Sequence, residues 1–319
     1  MSFAGFAAKI MRAQMAYHDN KRIATQRSVG GVAVTEFAYV EDGNPMHRLN
    51  LYRPEGSSGK LPLIFDIHGG AWVYGDKELN RLYCEYLAAQ GFAVVGISYR
   101  LLPDTDLGGQ VRDVFAAAEF VRAHAEEWGA DCDNVMLTGD SAGAHLSVLS
   151  YCVGQTPALG KLYGVDKLQL GVKCIVLSHG VCEVHELLLN RGGKPVKAAW
   201  GAQRIMERMM FGKKSAKSPL YKKSALSEVE SGVNFPPVML IGCDRDVYLQ
   251  HTLRLKSFFE KRAPVFLYHF YEGEEGKRLG HVYNIMRPEW EEGKNANDAS
   301  LRFFLQSISE CSDGDGKIP

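Results

Sequence analysis

Ser141 stands at the centre of Leu137-Thr138-Gly139-Asp140-Ser141-Ala142-Gly143-Ala144-His145, which has the form G-x-S-x-G. An apolar run, 134–137, comes before it, and an Ala-rich, helix-competent run, 142–152, comes after. A serine on a sharp strand-to-helix turn is held out of the backbone with its hydroxyl exposed. Glycines flank it because the turn is tight. The turn also opens a helix, whose first amides lack partners inside the helix and can donate to an anion. One short stretch thus offers a nucleophile and part of an oxyanion site. The five letters alone fit a plain strand-turn-helix junction equally well, so the rest of the chain decides.

A serine hydroxyl is a weak nucleophile. It needs a base, and the base needs a carboxylate to fix its tautomer. The apolar run 237–243 leads into Asp244-Arg245-Asp246. Asp246 is the preferred acid, because it lies further past the strand end and opens the next helix. Asp244 then serves as a turn former or a partner of Arg245. Aspartate is also a good helix N-cap, which is the competing role for Asp246. Of ten histidines, His281 follows the strand predicted over 264–271 and a Gly-rich charged loop. His269 lies inside that strand, His251 inside the helix after Asp246, and His179 ends a strand ahead of the acid. The order Ser141, Asp246, His281 is the α/β-hydrolase order. His68-Gly69-Gly70-Ala71-Trp72 follows another predicted strand. Its glycines let backbone amides approach a ligand, so Gly69 and Gly70, joined by Ala142, are the expected oxyanion donors. His68 is expected to orient this loop.

These groups need a scaffold that brings strand ends together. Alternating apolar and polar residues over 32–40 and 46–52, with 41–45 between them, predict a hairpin. Continuous apolar strands are predicted over 61–67, 92–99, 135–138, 172–177, 237–243 and 264–271. Helices are predicted between them over 78–90, 111–128, 142–152 and 248–262, with a last one over 297–309. That alternation means an α/β fold with a mostly parallel central sheet covered on both faces. Active groups in such a sheet sit beyond the C-terminal strand ends. Phe3, Phe6, Ala7, Ile10, Met11 and Met15 recur at helical spacing, which predicts an N-terminal helix with a packed apolar stripe. The segment 183–230 holds no predicted strand, and a connection this long is usually functional, often a lid.

Composition narrows the class further. Lys+Arg and Asp+Glu are both 37, so the formal net charge is zero, which argues against a nucleic-acid partner. Seven cysteines include no C-x-x-C pair. They read as buried thiols of a reducing compartment, with no metal site and no disulfide framework. No signal-peptide pattern and no membrane-length apolar run stand out, so a cytoplasmic chain without membrane insertion is expected.

Taken together, His68-Gly-Gly-Ala-Trp72, Ser98-Tyr99-Arg100-Leu101, Gly139-Asp-Ser-Ala-Gly143, Asp246 and Gly280-His281 resemble the hormone-sensitive-lipase-like branch of the α/β-hydrolase carboxylesterases. The resemblance runs from residue 61 to the last helix. It implies a single α/β-hydrolase domain over 1–319, with a helical cap from about 1–30 and 183–230. It implies hydrolysis of short- to medium-chain acyl esters by a Ser141-Asp246-His281 triad, no cofactor, and a possible homodimer. Ala71, Trp72, Tyr74, Asp140 and Trp200 are candidate substrate-binding residues, with core or cap packing as the competing role for the aromatics. The sequence departs from the family at Ala71 and Ala144, where glycines are usual, and after Asp246. An amidase or peptidase using the same triad stays open. A non-catalytic binding module ranks lower, because such homologues lack the histidine that is present here as His281.

Overall fold

The computed structural model describes residues 3–185, 190–191, 194–195, 200–272 and 279–312. The strands are β1 (Val32–Ala38), β2 (Arg48–Pro54), β3 (Leu61–Ile67), β4 (Ala93–Ile97), β5 (Ala130–Asp140), β6 (Val172–Ser178), the two-residue pair β7 (Asn190–Arg191) and β8 (Lys194–Pro195), β9 (Val238–Cys243) and β10 (Phe266–Tyr271). The helices are α1 (Phe3–Thr25), α2 (Arg81–Ala89), α3 (Leu107–His124), α4 (Ala142–Gln155), α5 (Pro157–Tyr163), α6 (Trp200–Phe211), α7 (Leu226–Val229), α8 (Leu249–Phe259), α9 (Tyr283–Met286) and α10 (Glu291–Ser312).

Eight strands form one sheet in the order β1-β2-β4-β3-β5-β6-β9-β10. β1 and β2 make the expected hairpin, with Val32 opposite Pro54 and Ala38 opposite Arg48. β2 is also antiparallel to β4, and every later pairing in this sheet is parallel. The chain steps from β3 out to β4 and then crosses back past β3 to β5. Strand order therefore reverses at β3 and β5, and ligands in open parallel sheets bind at such a switch point. The register aligns the strand ends there. Ile67 pairs with Gly139, Asp140 with Ser178, and Ser178 with Ile241. His68, Ser141, His179 and Asp246 thus leave the sheet along one edge.

Side chains alternate between two cores, as the period of a strand requires. Leu63, Phe65 and Ile67 pack on the side of α3, α4 and α8. Ile64, Val94, Met136, Val176 and Ile241 pack on the side of α2 and α10. The strands over 93–97 and 238–243 are buried throughout, which explains their unbroken apolar runs.

Several boundaries differ from expectation, among them β5, which begins at Ala130; at three helices the reason is identifiable. α3 begins at Leu107, ahead of 111, because Asp106 caps it by accepting from the Gly109 amide at 2.7 Å. Gly108 and Gly109 therefore lie in the first turn and do not break the helix. α10 begins at Glu291 with two glutamates in its first turn, where the helix dipole favours negative charge. α1 runs on to Thr25, and its stripe does not pack as expected. Phe3, Phe6 and Ile10 are 69%, 55% and 45% exposed, while Asp19 and Arg22 are buried. Polar anchors set this orientation. Arg12 donates to the carbonyls of Val73 and Leu102, Arg22 to that of Leu79, and Gln26 to that of Met286. These carbonyls need donors, and α1 with the residue that follows it supplies them.

The cysteines at 84, 132, 152, 174, 182 and 243 are buried free thiols. Among the described residues no helix is long and apolar enough to cross a membrane.

Candidate active site

β5 ends at Asp140, α4 begins at Ala142, and Ser141 between them has φ 49° and ψ −112°. Such a backbone costs a non-glycine residue on the order of 1–3 kcal/mol and persists only where the surroundings impose it. Here the Ser141 amide donates to the Ser178 carbonyl at 3.0 Å, which locks the turn to β6. Gly143 lets the turn lie against the loop after β3. A Cβ there would strike the Ile67 carbonyl and sit 2.6 Å from that of His68. Among the described residues, five non-glycines have positive φ: Ala71, Trp72, Ser141, His179 and Val282. All five flank this one site. Of the five, the sequence motifs contain Ser141, Ala71 and Trp72.

The loop after β10 brings His281 back to the sheet edge. Its Nδ1 lies 2.8 Å from Asp246 Oδ1, and the Asp246 side chain is fully buried. The same oxygen accepts from the Tyr248 amide at 2.8 Å, so the turn-forming and histidine-holding roles converge on one atom. Burial pushes the Asp246 carboxyl up. The hydrogen bond and charge of His281, the charge of His179 and the Tyr248 amide outweigh it and hold the carboxyl below its usual range. A carboxylate can only accept, so His281 Nδ1 carries the proton and Nε2 is left as the acceptor. Two rings stand edge-on to the imidazole, Tyr248 at 5.0 Å and His179 at 5.7 Å. Burial pushes His179 down to about 3, so it stays neutral beside the triad candidates. Asp244 is exposed.

The oxyanion assignment needs one correction. The Gly69 amide donates to Asp140 Oδ1 at 2.9 Å and is therefore committed to the loop's own structure. No described residue accepts from the amides of Gly70, Ala71 or Ala142. Gly70 has φ 98°, and a Cβ there would collide with the Tyr74 carbonyl. His68 orients the loop as expected. Its Nδ1 lies 2.8 Å from the Gly69 carbonyl, its ring stacks on Tyr99 at 4.4 Å, and burial pushes it down to about 4. Tyr99 donates to the carbonyls of His68 and Gly69.

Asp140 is buried and braces this loop. Asn80 Nδ2 bridges Asp140 Oδ1 at 2.8 Å and Asp66 Oδ2 at 3.0 Å. Burial, then the Asp140 charge, push the Asp66 carboxyl up to about 8. A carboxyl raised in the folded state favours folding below its unfolded value near 4. That advantage is lost as pH rises through 8. Asp66→Asn keeps the acceptor for Asn80 and removes the ionisation. It is expected to raise Tm by several degrees at pH 9 and by little at pH 5. Parallel Tm–pH curves for the two proteins would refute the assignment.

A cavity of about 150 Å³ opens between these groups. Ser141 and His281 both line it, with Gly70, Ala71, Trp72 and Asp140. Of the candidate substrate-binding residues, Tyr74 is not on its wall. Its phenol sits beside Asp19, and burial and that charge push it up to about 12. The Trp72 indole is fully buried, and the Trp200 side chain lies outside the described residues. Met15, Asp19 and Arg22 of α1 also reach the wall; the expected cap included this stretch, but no motif singled out these three as lining residues. The sequence missed Asn80, which precedes α2 like an ordinary cap residue but makes no capping bond.

With this geometry, the comparisons decide the family. The BD-FAE family model matches residues 49–257. The chain belongs to the BD-FAE family, within the α/β-hydrolase carboxylesterases. This BD-FAE chain is similar in structure to esterase B from Lactobacillus rhamnosis, with a TM-score of 0.89 and 33% identity, covering 98% of this chain and 100% of that one. Among curated proteins it is 37% identical over 103 residues to a probable isoprenylcysteine alpha-carbonyl methylesterase of Arabidopsis thaliana. That alignment covers 32% of this chain and 22% of the relative. It is 32% identical over 154 residues to a probable carboxylic ester hydrolase, LipM, of Mycobacterium tuberculosis, over 48% of this chain and 35% of the relative. The BD-FAE chain thus aligns with 22% and 35% of these curated relatives' length and with all of the solved esterase.

Proposed function

We propose that this BD-FAE protein hydrolyses short-chain carboxylic esters through an acyl-enzyme on Ser141. The observation that carries the reading is the His281–Asp246 hydrogen bond at one wall of a cavity that Ser141 also lines. Ser141 Oγ attacks the ester carbonyl carbon while His281 Nε2 takes the hydroxyl proton. Asp246 stabilises the imidazolium that forms. The amides of Gly70, Ala71 and Ala142 receive the oxyanion. The tetrahedral adduct collapses, the C–O bond to the alcohol breaks, and the alcohol leaves with the proton from His281. Water then attacks the acyl-serine by the same route and releases the acid. α1, whose Met15, Asp19 and Arg22 line the cavity, acts as its cap.

The cavity size bears on the acyl group. A pocket near 150 Å³ holds a ligand about the size of benzene, roughly six heavy atoms. That favours acetyl to butyryl chains over long ones. Esterase B has been solved with a tributyrin phosphonate inhibitor, which supports the same range. Hydrolysis of p-nitrophenyl esters from acetate to laurate tests the reading. The expected kcat/KM peaks at or below butyrate and falls roughly tenfold or more by laurate. An optimum at octanoate or longer would overturn the size argument.

A further inference from the structure

Three buried groups form a line behind the oxyanion loop. The Trp72 indole Nε1 donates to His145 Nδ1 at 3.2 Å, and His145 Nε2 lies 2.6 Å from the Ser224 carbonyl. Trp72, His145 and Ser224 are all at most 1% exposed. An indole N–H can only donate and a carbonyl can only accept. One species satisfies both neighbours, the neutral imidazole with its proton on Nε2. Burial pushes His145 down to about 4, which keeps that species in place. The indole and imidazole also meet edge to face, with ring centres 5.3 Å apart.

The ends of this line are informative. Ala71 and Trp72 are consecutive left-handed residues, at φ 53° and 62°. L side chains rarely adopt that backbone, so something must impose it. The Trp72 carbonyl is held by the Leu102 amide and by Gln110 Nε2, both at 2.9 Å. Its side chain is held by His145. His145 lies one turn into α4, the helix whose first residue is Ala142. The ring therefore ties the loop that carries Gly70 and Ala71 to the helix that carries the Ala142 amide.

We propose that His145 is a positioning residue for the oxyanion site, oriented by the Ser224 carbonyl and acting through the Trp72 indole to hold the Gly70 and Ala71 amides in register with Ala142. This rests on the acyl-transfer reading above. The logic is that of a catalytic triad displaced to the other side of the reacting carbonyl. A main-chain acceptor fixes the tautomer, and the imidazole lone pair then fixes the next group.

The test removes one hydrogen bond and keeps the shape. Trp72→3-benzothienylalanine replaces the indole N–H by sulfur in a ring of the same outline. His145→Phe removes the acceptor, and Trp72→3-benzothienylalanine combined with His145→Phe removes both ends. For p-nitrophenyl acetate, the expected kcat falls on the order of tenfold to a hundredfold, as a small displacement of catalytic groups produces. KM stays within about twofold, because ground-state binding does not use the oxyanion amides. Inactivation by a p-nitrophenyl phosphonate slows in parallel, since its phosphoryl oxygen needs the same amides. The double variant loses no more than the worse single one. A merely structural role predicts a lower Tm with kcat per folded enzyme unchanged, and that result overturns the proposal. Should His145→Phe fail to fold, the benzothienylalanine variant decides alone. Wild-type hydrolysis that persists in Ser141→Ala would instead defeat the acyl-transfer reading, so the two failures are distinguishable.

Discussion

Ser141→Ala is expected to lower kcat by about 10⁶, and His281→Ala by a similar factor, with KM little changed. The two effects are equal because the groups act as a unit. Without the base the hydroxyl stays protonated, and without the hydroxyl the base has nothing to activate. The double variant should therefore be no slower than either single one. A residual rate of about 10³–10⁴ over water remains in such cases, from the oxyanion donors and from binding. The structure gives His281 no other evident work. Its Nδ1 is fixed by Asp246, its ring is held between Tyr248 and His179, and its free face looks into the cavity with Ser141. Steady-state kinetics on p-nitrophenyl butyrate check this. A Ser141→Ala protein within tenfold of wild type would mean that another nucleophile is at work.

Asp246→Asn should cost on the order of 10⁴ in kcat, while Asp244→Asn stays within about twofold. The contrast follows from where the two carboxylates sit. Asp246 is buried, and its Oδ1 accepts from both His281 Nδ1 and the Tyr248 amide. An asparagine carries no negative charge in either rotamer. With its N–H towards the imidazole, Nδ1 becomes the acceptor and Nε2 holds the proton, so the base that Ser141 needs is lost; with its oxygen there, the imidazolium loses its counter-charge. Asp244 is exposed and is not bonded to His281. Because Asp246 is held below the usual carboxylate range, it stays ionised at any working pH. Its stabilising effect is present above its unfolded value and is lost as pH falls through the folded one. The pair of variants is checked by kcat at pH 7 to 8. A severe Asp244→Asn with a mild Asp246→Asn would reverse the assignment of the acid.

The parts of this site that were legible in the sequence share a cause. Ser141, Asp246, His281 and the loop over 68–72 each follow a continuous apolar strand, and the parallel pattern places such positions at one edge. Glycine spacing around Ser141 reported the close approach of its turn to the Ile67 and His68 carbonyls. What was not legible depends on long-range pairing. That Gly69 would be claimed by Asp140 cannot be read from two residues 71 positions apart. Nor can the bridge that Asn80 makes to Asp66 and Asp140, since an asparagine ahead of a helix reads as a cap. The stripe of α1 misled because its periodicity was real while its orientation was decided by Arg12, Arg22 and Gln26 reaching loop carbonyls. The start of α3 was missed because two glycines hid a helix that Asp106 caps.

The most direct test of the central claim is peptide mapping by mass spectrometry after reaction with a p-nitrophenyl butylphosphonate. A phosphonate of this kind mimics the tetrahedral adduct and stays on the nucleophile. The predicted result is a single adduct on the peptide containing Ser141, formed in step with loss of esterase activity and absent from Ser141→Ala. Activity lost with the adduct on another residue, or activity retained with Ser141 fully modified, would contradict the account.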